Sequence, residues 1–368
     1  MIVRVAFTVD VEALSATIFA AVAAHSFHIF DLTLNVPIDL VDAVFSALRN
    51  DMSILRRLTI RLSSDSSELA VPDLPHDLIY KWASSGIRYL ELSNIRIPLG
   101  PLPALPSVIS LNYDLPPAPH DEALGSMFPN LRTLVLGGEF VEEYHRSCIG
   151  FCSSVSFLQF GSSLTEVVSS LSLASVPHVA VLSPPAHIAQ VLFNHLDGDL
   201  EAHLVDAGGS VFRVVVVSRL SSYARNFIEG TQDYGTVFQP LCIFQQTSFF
   251  ERVTHLSISP SVWDMMVVHY PRFPWITVLG ICGDTDQEDL AVDVSAPLEC
   301  TRLRTLSLRT NSATGSRIDL TQVRVSMRRV LVGVTYPLML HLAEDITLLN
   351  DCDGAGDIFV RTDVDPFL

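Results

Sequence analysis

The feature that most constrains this chain is a short spacing of apolar residues, L-x-x-L-x-L, which recurs along most of its length. The best copy lies in Leu303–Asn311, which reads L-x-x-L-x-L-x-x-N, and Leu131–Leu136 is a near copy. Alternation of apolar and polar residues is typical of a strand that buries one of its two faces. The chain is therefore expected to contain a series of short strands, each with one buried side.

The series is long and nearly regular. Ten segments match the spacing in full or with similar apolar residues, and they begin at Ile29, Leu55, Ile87, Val108, Leu131, Val155, Val176, Val253, Ile276 and Leu303. Most neighbouring copies are about 21 to 32 residues apart, close to the 20–29 residues of a leucine-rich repeat. A strongly apolar sequence produces a few such matches by chance but not ten in near-regular order. The pattern predicts a leucine-rich-repeat-like solenoid.

Helical periodicity fills several of the gaps between these strands. Apolar residues recur on one face of Val11–Ala24, Pro37–Leu48, His76–Trp82 and Pro185–Leu196, and Ile2–Val9 reads as an opening strand. Strands that alternate with helices are expected to run parallel. The predicted fold class is therefore α/β, with a curved parallel sheet and with helices and irregular segments on its convex side.

One domain is expected to span residues 1–368, with two less regular parts. The region from about 200 to 251 carries no clear repeat and reads as an insertion, with a buried strand at Phe212–Ser218 and an interrupted helix within Thr236–Phe250. Polar residues and glycines from about Asp351 onward predict a loose tail.

Composition excludes several classes of partner and compartment. The net charge of −17 and the pI near 5.0 argue against binding to nucleic acid or to anionic membranes, because both require clustered basic residues. No apolar run reaches the roughly 18 residues of a membrane span, and the N-terminus does not resemble a secretory signal. The six cysteines include no C-x-x-C pair, which suits buried thiols in a reducing compartment. A cytoplasmic or nuclear location is predicted.

The usual signatures of catalysis and of cofactor binding were sought without success. The sequence contains no G-x-S-x-G, P-loop, H-E-x-x-H or dinucleotide fingerprint, so neither an enzyme nor a cofactor is predicted. His145, Cys148 and Cys152 supply only three of the four ligands of a structural zinc site. The segment Asp351–Asp357 lacks two ligands of a calcium loop. No metal site is predicted, and the acidic run Asp284–Asp289 is interpreted as a solvated loop, with a basic partner as the alternative.

The partner-binding residues are expected on the exposed face of the sheet. Side chains between the leucines of each strand point to the opposite face, and solenoids generally bind partners on such faces. The predicted binding set is Arg57, Arg61, Tyr89, Glu91, Phe157, Gln159, His255, Thr305, Ser307 and Arg309. Residue type favours Arg57, Arg61, Tyr89 and Phe157 as anchors. The alternative is that small polar residues simply fit a crowded sheet surface.

Four of the repeats carry a family resemblance. The stretches LRRLTI, IRYLEL, LRTLVL and LRTLSL resemble the leucine-rich-repeat portion of fungal F-box proteins over about Phe27–Asn311, whereas no F-box is evident near Met1. The resemblance implies a non-enzymatic interaction protein that recognises substrates for a ubiquitin ligase and contacts a Skp-type adaptor. A repeat scaffold or regulatory protein unconnected to ubiquitination is the alternative. Outside its complex the chain is expected to be a monomer.

Overall fold

A computed structural model describes most of the chain. The described residues are 3–8, 12–63, 71–98, 101–115, 123–138, 155–161, 173–206, 211–230, 247–283, 294–310, 316–344, 346–350, 359–362, 365 and 367. The chain forms two compact units, Met1–Val181 and Leu182–Leu368. Each is a mixed α/β structure with an open, mostly parallel sheet. The division into two compact units does not test whether the chain folds as one domain or as two. The single domain expected from the sequence therefore stays a prediction.

The sheet of the first unit contains eight described strands that pair in the order of the chain. Every pair of neighbours is parallel. The strands are β1 (Val3–Thr8), β2 (Ile29–Pro37), β3 (Arg57–Ser63), β4 (Tyr89–Ser93), β5 (Ser110–Leu115), β6 (Thr133–Gly138), β7 (Phe157–Phe160) and β8 (His178–Leu182). Every L-x-x-L-x-L segment predicted in this unit overlaps one of these strands.

The register explains why the apolar spacing recurs. Equivalent leucines of adjacent strands are direct partners and form one continuous buried row, composed of Leu32, Leu58, Leu90, Leu111, Leu134 and Leu158. Full burial of a leucine side chain contributes about 1.5–3 kcal/mol, so the row is a large part of the core. A slip of one residue would turn the row to the other face, and the spacing therefore fixes the register.

Helices in the first unit bury their apolar faces as the periodicity predicts. They are α1 (Glu12–Ala24), α2 (Val41–Leu48), α3 (His76–Ala83) and α4 (Ala123–Met127). Val44 and Leu48 of α2 are buried one turn apart, as are Leu78 and Trp82 of α3. The first three helices confirm predicted ones, and a short 3-10 turn precedes α2.

The second unit combines parallel strands with an antiparallel part. Its strands are β9 (Leu200–Asp206), β10 (Val211–Ser218), β11 (Ala224–Gly230), β12 (Val253–Ile258), β13 (Val278–Gly283), β14 (Leu298–Glu299), β15 (Thr305–Thr310), β16 (Ser316–Asp319), β17 (Leu331–Val332), β18 (Leu338–Leu342), β19 (Ile346–Asn350) and β20 (Phe359–Thr362). The main sheet has the order β11-β10-β9-β12-β13-β15-β18-β20, and β14–β17 and β16–β19 form separate parallel pairs. The three motif segments of this unit coincide with β12, β13 and β15.

The region predicted to be irregular is an antiparallel meander. β10 pairs with β9 on one side and with β11 on the other, both antiparallel. The buried strand predicted at Phe212–Ser218 is confirmed by β10. Of the helix considered within Thr236–Phe250, residues 236–246 lie outside the described residues, and the remaining part begins the helix at Thr247.

Four described helices complete the second unit. They are α5 (Ala186–Asn194), α6 (Thr247–Arg252), α7 (Pro260–His269) and α8 (Leu320–Val330). The side chain of Asp319 caps α8 by accepting a 2.8 Å hydrogen bond from the Thr321 N–H, which satisfies a backbone donor that has no partner within the helix. Within the described parts of the chain, no helix is both long enough and apolar enough to cross a membrane.

Part of the segment predicted to be a loose tail, Phe359–Thr362, forms strand β20. β20 pairs in parallel with β18, and Phe359 is buried. Asp365 and Phe367 also contact the second-unit sheet, which places them next to residues of the predicted binding set.

Candidate partner-binding surfaces

The polar side of the first-unit sheet brings the predicted anchors into register. We call this surface the first-unit face, and its central rows contain Asp31, Arg57, Tyr89, Ser110, Thr133, Phe157, Thr33, Thr59, Glu91, Asn112, Val135 and Gln159. Arg57, Tyr89 and Phe157 share one row, and Glu91 and Gln159 share the next. Three strand spacings of about 4.8 Å place Tyr89 and Phe157 roughly 14 Å apart.

Polar pairs link neighbouring strands across this face. The Arg57 guanidinium lies 4.9 Å from the centre of the Tyr89 ring and 3.8 Å from the Asp31 carboxylate. Arg61 Nε donates to Glu91 Oε1 at 2.6 Å. The Tyr89 residue nevertheless remains 41 % exposed. Such solvent-exposed pairs each contribute about 0–1 kcal/mol, so they orient the side chains without preventing their use by a partner.

A basic edge, which the sequence reasoning missed, adjoins the first-unit face. Its arginines are Arg4, Arg56, Arg57, Arg88 and Arg132. Four of them line a pocket of about 310 Å³ together with Phe30, Asp31 and Tyr89. A second pocket of about 410 Å³ is lined by Arg56, Gly86, Arg88, Ser107, Ile109 and Arg132. These like charges lie together although the chain as a whole carries a net charge of −17.

The basic edge has a signal in the sequence. Arg56, Arg88 and Arg132 each follow the first apolar residue of a repeat, so the parallel register brings them to the same end of the sheet. The Arg56 guanidinium donates to the backbone oxygens of Ser53 and Leu55 and crosses Gly86, where a Cβ atom would overlap it. Among the described residues, the side chains of Arg88 and Arg132 have no hydrogen-bond or ion-pair partner. Both guanidinium groups are therefore available to a ligand.

The corresponding surface of the second unit is partly covered. We call it the second-unit face, and its two central rows contain Glu201, His255, Val278, Thr305, Met339, His203, Ser257, Gly280, Ser307 and His341. Thr305 is 5 % exposed and Ser307 is 0 % exposed. His255 is half-buried. The register thus places the predicted residues on one face, but not in contact with bulk solvent.

Asp365 and Phe367 form the cover. Arg309 makes an ion pair with the Asp365 carboxylate, and its guanidinium lies 4.3 Å from the centre of the Phe367 ring. The same ring lies 5.9 Å from the ring centre of His203 and 5.8 Å from that of His255. The Phe367 ring therefore lies across strands β9, β12 and β15.

Hydrogen bonds fix both the cover and the surface beneath it. Burial of Asp365 opposes ionisation, but the Phe367 N–H and the Arg309 guanidinium outweigh it and hold the pKa of Asp365 below its ordinary value. Underneath, Ser307 Oγ and His341 Nδ1 are 3.0 Å apart, and His203 Nε2 lies 2.5 Å from Glu201 Oε1. The polar groups of the second-unit face are thus paired within the unit.

The residues of the predicted binding set differ in exposure between the two units. Thr305 and Ser307 are expected on the exposed face of the sheet, but both are buried, and Ser307 lies against His341 of the neighbouring strand. Arg309 is half-buried and already paired with Asp365. A binding role for these residues and for His255 stays a prediction. In the first unit, the register leaves the side chains of Arg57, Arg61, Tyr89, Glu91, Phe157 and Gln159 at least partly accessible.

Several other sequence features carry no site in the described structure. His145, Cys148, Cys152 and the acidic runs 284–289 and 351–357 all lie outside the described residues. Burial raises the pKa of the Cys300 thiol to about 12, with a smaller contribution from Glu299, so this cysteine stays protonated and unreactive. The described residues contain no group of three or more His, Cys, Asp or Glu that could hold a metal ion.

Comparisons with known proteins assign no family. The sequence matches no protein-family model and no curated protein. A functional assignment therefore rests on the two faces and on the basic edge.

Proposed function

We propose that the chain is a non-enzymatic protein-interaction module whose first-unit face binds a protein partner. The observation that carries the proposal is the alignment of Arg57, Tyr89 and Phe157 in one row of a parallel sheet. Arginine and tyrosine are enriched among the residues that dominate binding energy. The strands that display them are fixed by the buried leucine row, so little ordering is needed before a partner binds.

The basic edge determines the kind of partner. An acidic segment that crosses the row at Arg57 and Tyr89 would place its carboxylates next to Arg56 and Arg88. Arginine binds carboxylates through paired donors, and Tyr89 supplies an exposed aromatic surface beside them. We therefore assign the first-unit face to an acidic peptide segment or loop of another protein.

The wider role follows from the repeats. The stacked leucine rows and the ten regularly spaced strands support a leucine-rich-repeat-like solenoid. The resemblance of the LRRLTI, IRYLEL, LRTLVL and LRTLSL stretches to fungal F-box proteins supports a role in substrate recognition for a ubiquitin ligase. In this proposal the acidic partner is the substrate, and a Skp-type adaptor joins the complex. A scaffold without a link to ubiquitin is the alternative that the experiment below separates.

The test reverses the charge of the proposed anchors. Affinity-tagged wild-type protein and the double variant Arg57→Glu with Arg61→Glu are isolated from cells, and the partners that co-purify are quantified by mass spectrometry. A matched control, Arg213→Glu with Arg361→Glu, changes the net charge equally at exposed positions of the second unit. Recovery of the partner should fall at least tenfold with the first double variant and should be unchanged with the control.

The outcomes separate the two roles. Recovery of a Skp-type adaptor and a cullin with the wild type supports the ubiquitin-ligase role. If a partner is recovered with the wild type and lost with the Arg57/Arg61 variant, and no adaptor or cullin is recovered, the result supports the scaffold. Equal recovery of every partner with both variants would overturn the assignment of the first-unit face.

A further inference from the structure

We propose that the second-unit face is a groove for short peptides in which an acidic residue precedes an aromatic residue by two positions. Asp365 and Phe367 of the chain itself occupy this groove. A partner segment of the same chemistry would therefore compete with these two residues. The groove is formed by residues other than those of the first-unit face, so this inference goes beyond the proposed function.

The aromatic residue is recognised from several sides. The Arg309 guanidinium faces the Phe367 ring at 4.3 Å, a favourable arrangement of a cation and an aromatic face. His255 meets the ring nearly edge-on, with an interplanar angle of 76°, and His203 meets it at 40°. Edge-on and tilted contacts between aromatic rings are favourable. An aliphatic side chain at this position would lose all three interactions.

Gly280 creates the space for the ring. A Cβ atom at this position would lie 3.0 Å from Phe367 Cζ, 3.1 Å from Cε2 and 3.2 Å from the Ser257 Cβ. The backbone of Gly280 does not have a positive φ, so its conformation does not require glycine. The missing side chain therefore serves the fit of the ring against the sheet. This makes Gly280 the residue that distinguishes a specific groove from a general apolar contact.

The acidic residue is recognised through two donors. The Asp365 carboxylate accepts a hydrogen bond from the Arg309 guanidinium and another, of 2.9 Å, from the Phe367 N–H. The second bond closes a short turn between the two residues. That turn lets one arginine contact both the carboxylate and the ring. The spacing of two positions is therefore a property of the bound segment and defines the chemistry of a competitor.

The floor of the groove is fixed before any segment binds. Ser307 and His341 are paired at 3.0 Å, and His203 is paired with Glu201 at 2.5 Å. Ser307 and His341 lie on the paired parallel strands β15 and β18, and Glu201 and His203 both lie on β9. A preformed surface loses little conformational freedom on binding.

The occupying residues are held in a way that permits exchange. The side chains of Arg309 and Asp365 remain 25 % and 26 % exposed, so water reaches the ion pair. A tethered segment acts at an effective concentration in the millimolar range. A free peptide therefore binds the wild-type chain with an affinity reduced in proportion to the fraction of molecules whose groove is open.

The experiment supplies the segment from outside. The probe is a fluorescein-labelled, C-terminally amidated peptide with the sequence of residues 363–368, and its binding to the full chain is measured by fluorescence anisotropy. The variant Asp365→Ala with Phe367→Ala opens the groove and should bind the probe at least tenfold more tightly than the wild type. A probe with alanine in place of its phenylalanine should bind at least tenfold more weakly to that variant.

Gly280 provides the specificity control. Addition of Gly280→Ala to the open variant should weaken binding of the probe at least tenfold, because the new methyl group fills the ring position. Gly161→Ala is the matched control in the other sheet, where a Cβ atom would be 3.5 Å from its nearest neighbour. This substitution should leave probe binding unchanged.

A second measurement does not depend on the folding of the open variant. The wild-type chain is labelled with 4-fluorophenylalanine at position 367, and excess unlabelled peptide is added. The ¹⁹F signal should move to that of a solvent-exposed ring as the peptide displaces Phe367. No movement at saturation, or equal binding of both probes to the open variant, would overturn the proposed groove.

Discussion

The two sheet faces have the same strand spacing but differ in what lies above them. Tyr89 on the first-unit face is 41 % exposed, whereas Thr305, which occupies the same motif position in the second unit, is 5 % exposed. The leucine rows beneath both faces are buried alike. The repeat spacing therefore specifies which residues point away from the core, but it does not specify how exposed they are, since Thr59 on the first-unit face is also only 6 % exposed.

The polar contacts differ in the same sense. On the first-unit face, charged side chains pair with side chains of neighbouring strands, as in the pair Arg61–Glu91. The second-unit face pairs Arg309 with Asp365, which is 56 residues away in the chain. The first arrangement leaves a surface ready for a partner. The second places a segment of the chain itself against part of the surface.

The largest difference is expected when the same charge is placed on each face. Ser307→Glu would place a carboxylate at a position that is 0 % exposed, and an unpaired buried charge costs several kcal/mol. Gln159→Glu adds a similar group to a half-exposed position and should change the free energy of unfolding by no more than about 0.5 kcal/mol. Urea unfolding of both variants, followed by circular dichroism, measures the two changes.

The result also tests how tightly the second-unit face is covered. Adding Phe367→Ala to Ser307→Glu should restore part of the lost stability, because water then reaches the carboxylate. Equal, small effects of Ser307→Glu and Gln159→Glu would mean that the cover is not closed in solution, which would remove the contrast between the faces.

The strands and their register could be predicted from the sequence. Apolar spacing reports which side of a strand is buried, and burial is the dominant energy in each unit. Leu58, Leu134 and Leu306 therefore lie where the spacing predicts. Helices α2, α3 and α5 were predicted for the same reason, since their periodicity reflects contact with the same core.

The antiparallel meander could not be placed in the same way. β9, β10 and β11 carry no repeat spacing, and their pairing is antiparallel, unlike that of every strand the motif predicts. The residues between β9 and β10 include the run Asp206–Ser210, which reads D-A-G-G-S. Glycine pairs between alternating strands favour a hairpin. This hairpin signal lies within the region that the lack of repeat spacing predicts to be an irregular insertion.

The cover of the second-unit face had no local signal. Asp365 and Phe367 belong to a short segment without periodicity, and nothing in its composition indicates where it packs. The basic edge differs, because the arginines at Arg56, Arg88 and Arg132 recur at one motif position. The basic edge could be predicted by comparing the residue types at each position of the motif, in addition to its apolar pattern.

A smaller difference, which depends on pH, is expected in the docking of Phe367, because the Asp365 carboxylate contributes to it. Its pKa is lowered when Phe367 is docked, so the carboxylate stabilises docking at pH values above the ordinary aspartate pKa of about 3.9. That stabilisation is lost as the pH falls through the lowered value. The ¹⁹F signal of 4-fluorophenylalanine at position 367 should report undocking with a midpoint below the ordinary value.

Other charged groups near the ring require a control for this titration. Arg309, Glu201, His203, His255 and His341 all face the docked segment or the surface beneath it. Asp365→Asn keeps these groups and removes only the carboxylate, so the transition should vanish in that variant. Far-UV circular dichroism at each pH separates undocking from acid unfolding. A transition of the same midpoint in Asp365→Asn would assign the effect to the neighbouring groups instead.

The smallest difference is expected in the coupling energies of the two arginine–carboxylate pairs, Arg61–Glu91 and Arg309–Asp365. The Arg61 side chain is 53 % exposed, so a double-mutant cycle with Arg61→Ala and Glu91→Ala should give a coupling of about 0.2–1 kcal/mol. The cycle with Arg309→Ala and Asp365→Ala should give a larger coupling, because the Arg309 side chain is only 25 % exposed and loss of the pair also releases the Phe367 ring. Thermal unfolding of the six variants measures both values. An Arg61–Glu91 coupling as large as that of Arg309–Asp365 would mean that the first-unit face is also held closed by its own contacts, and a partner would then have to break them before binding.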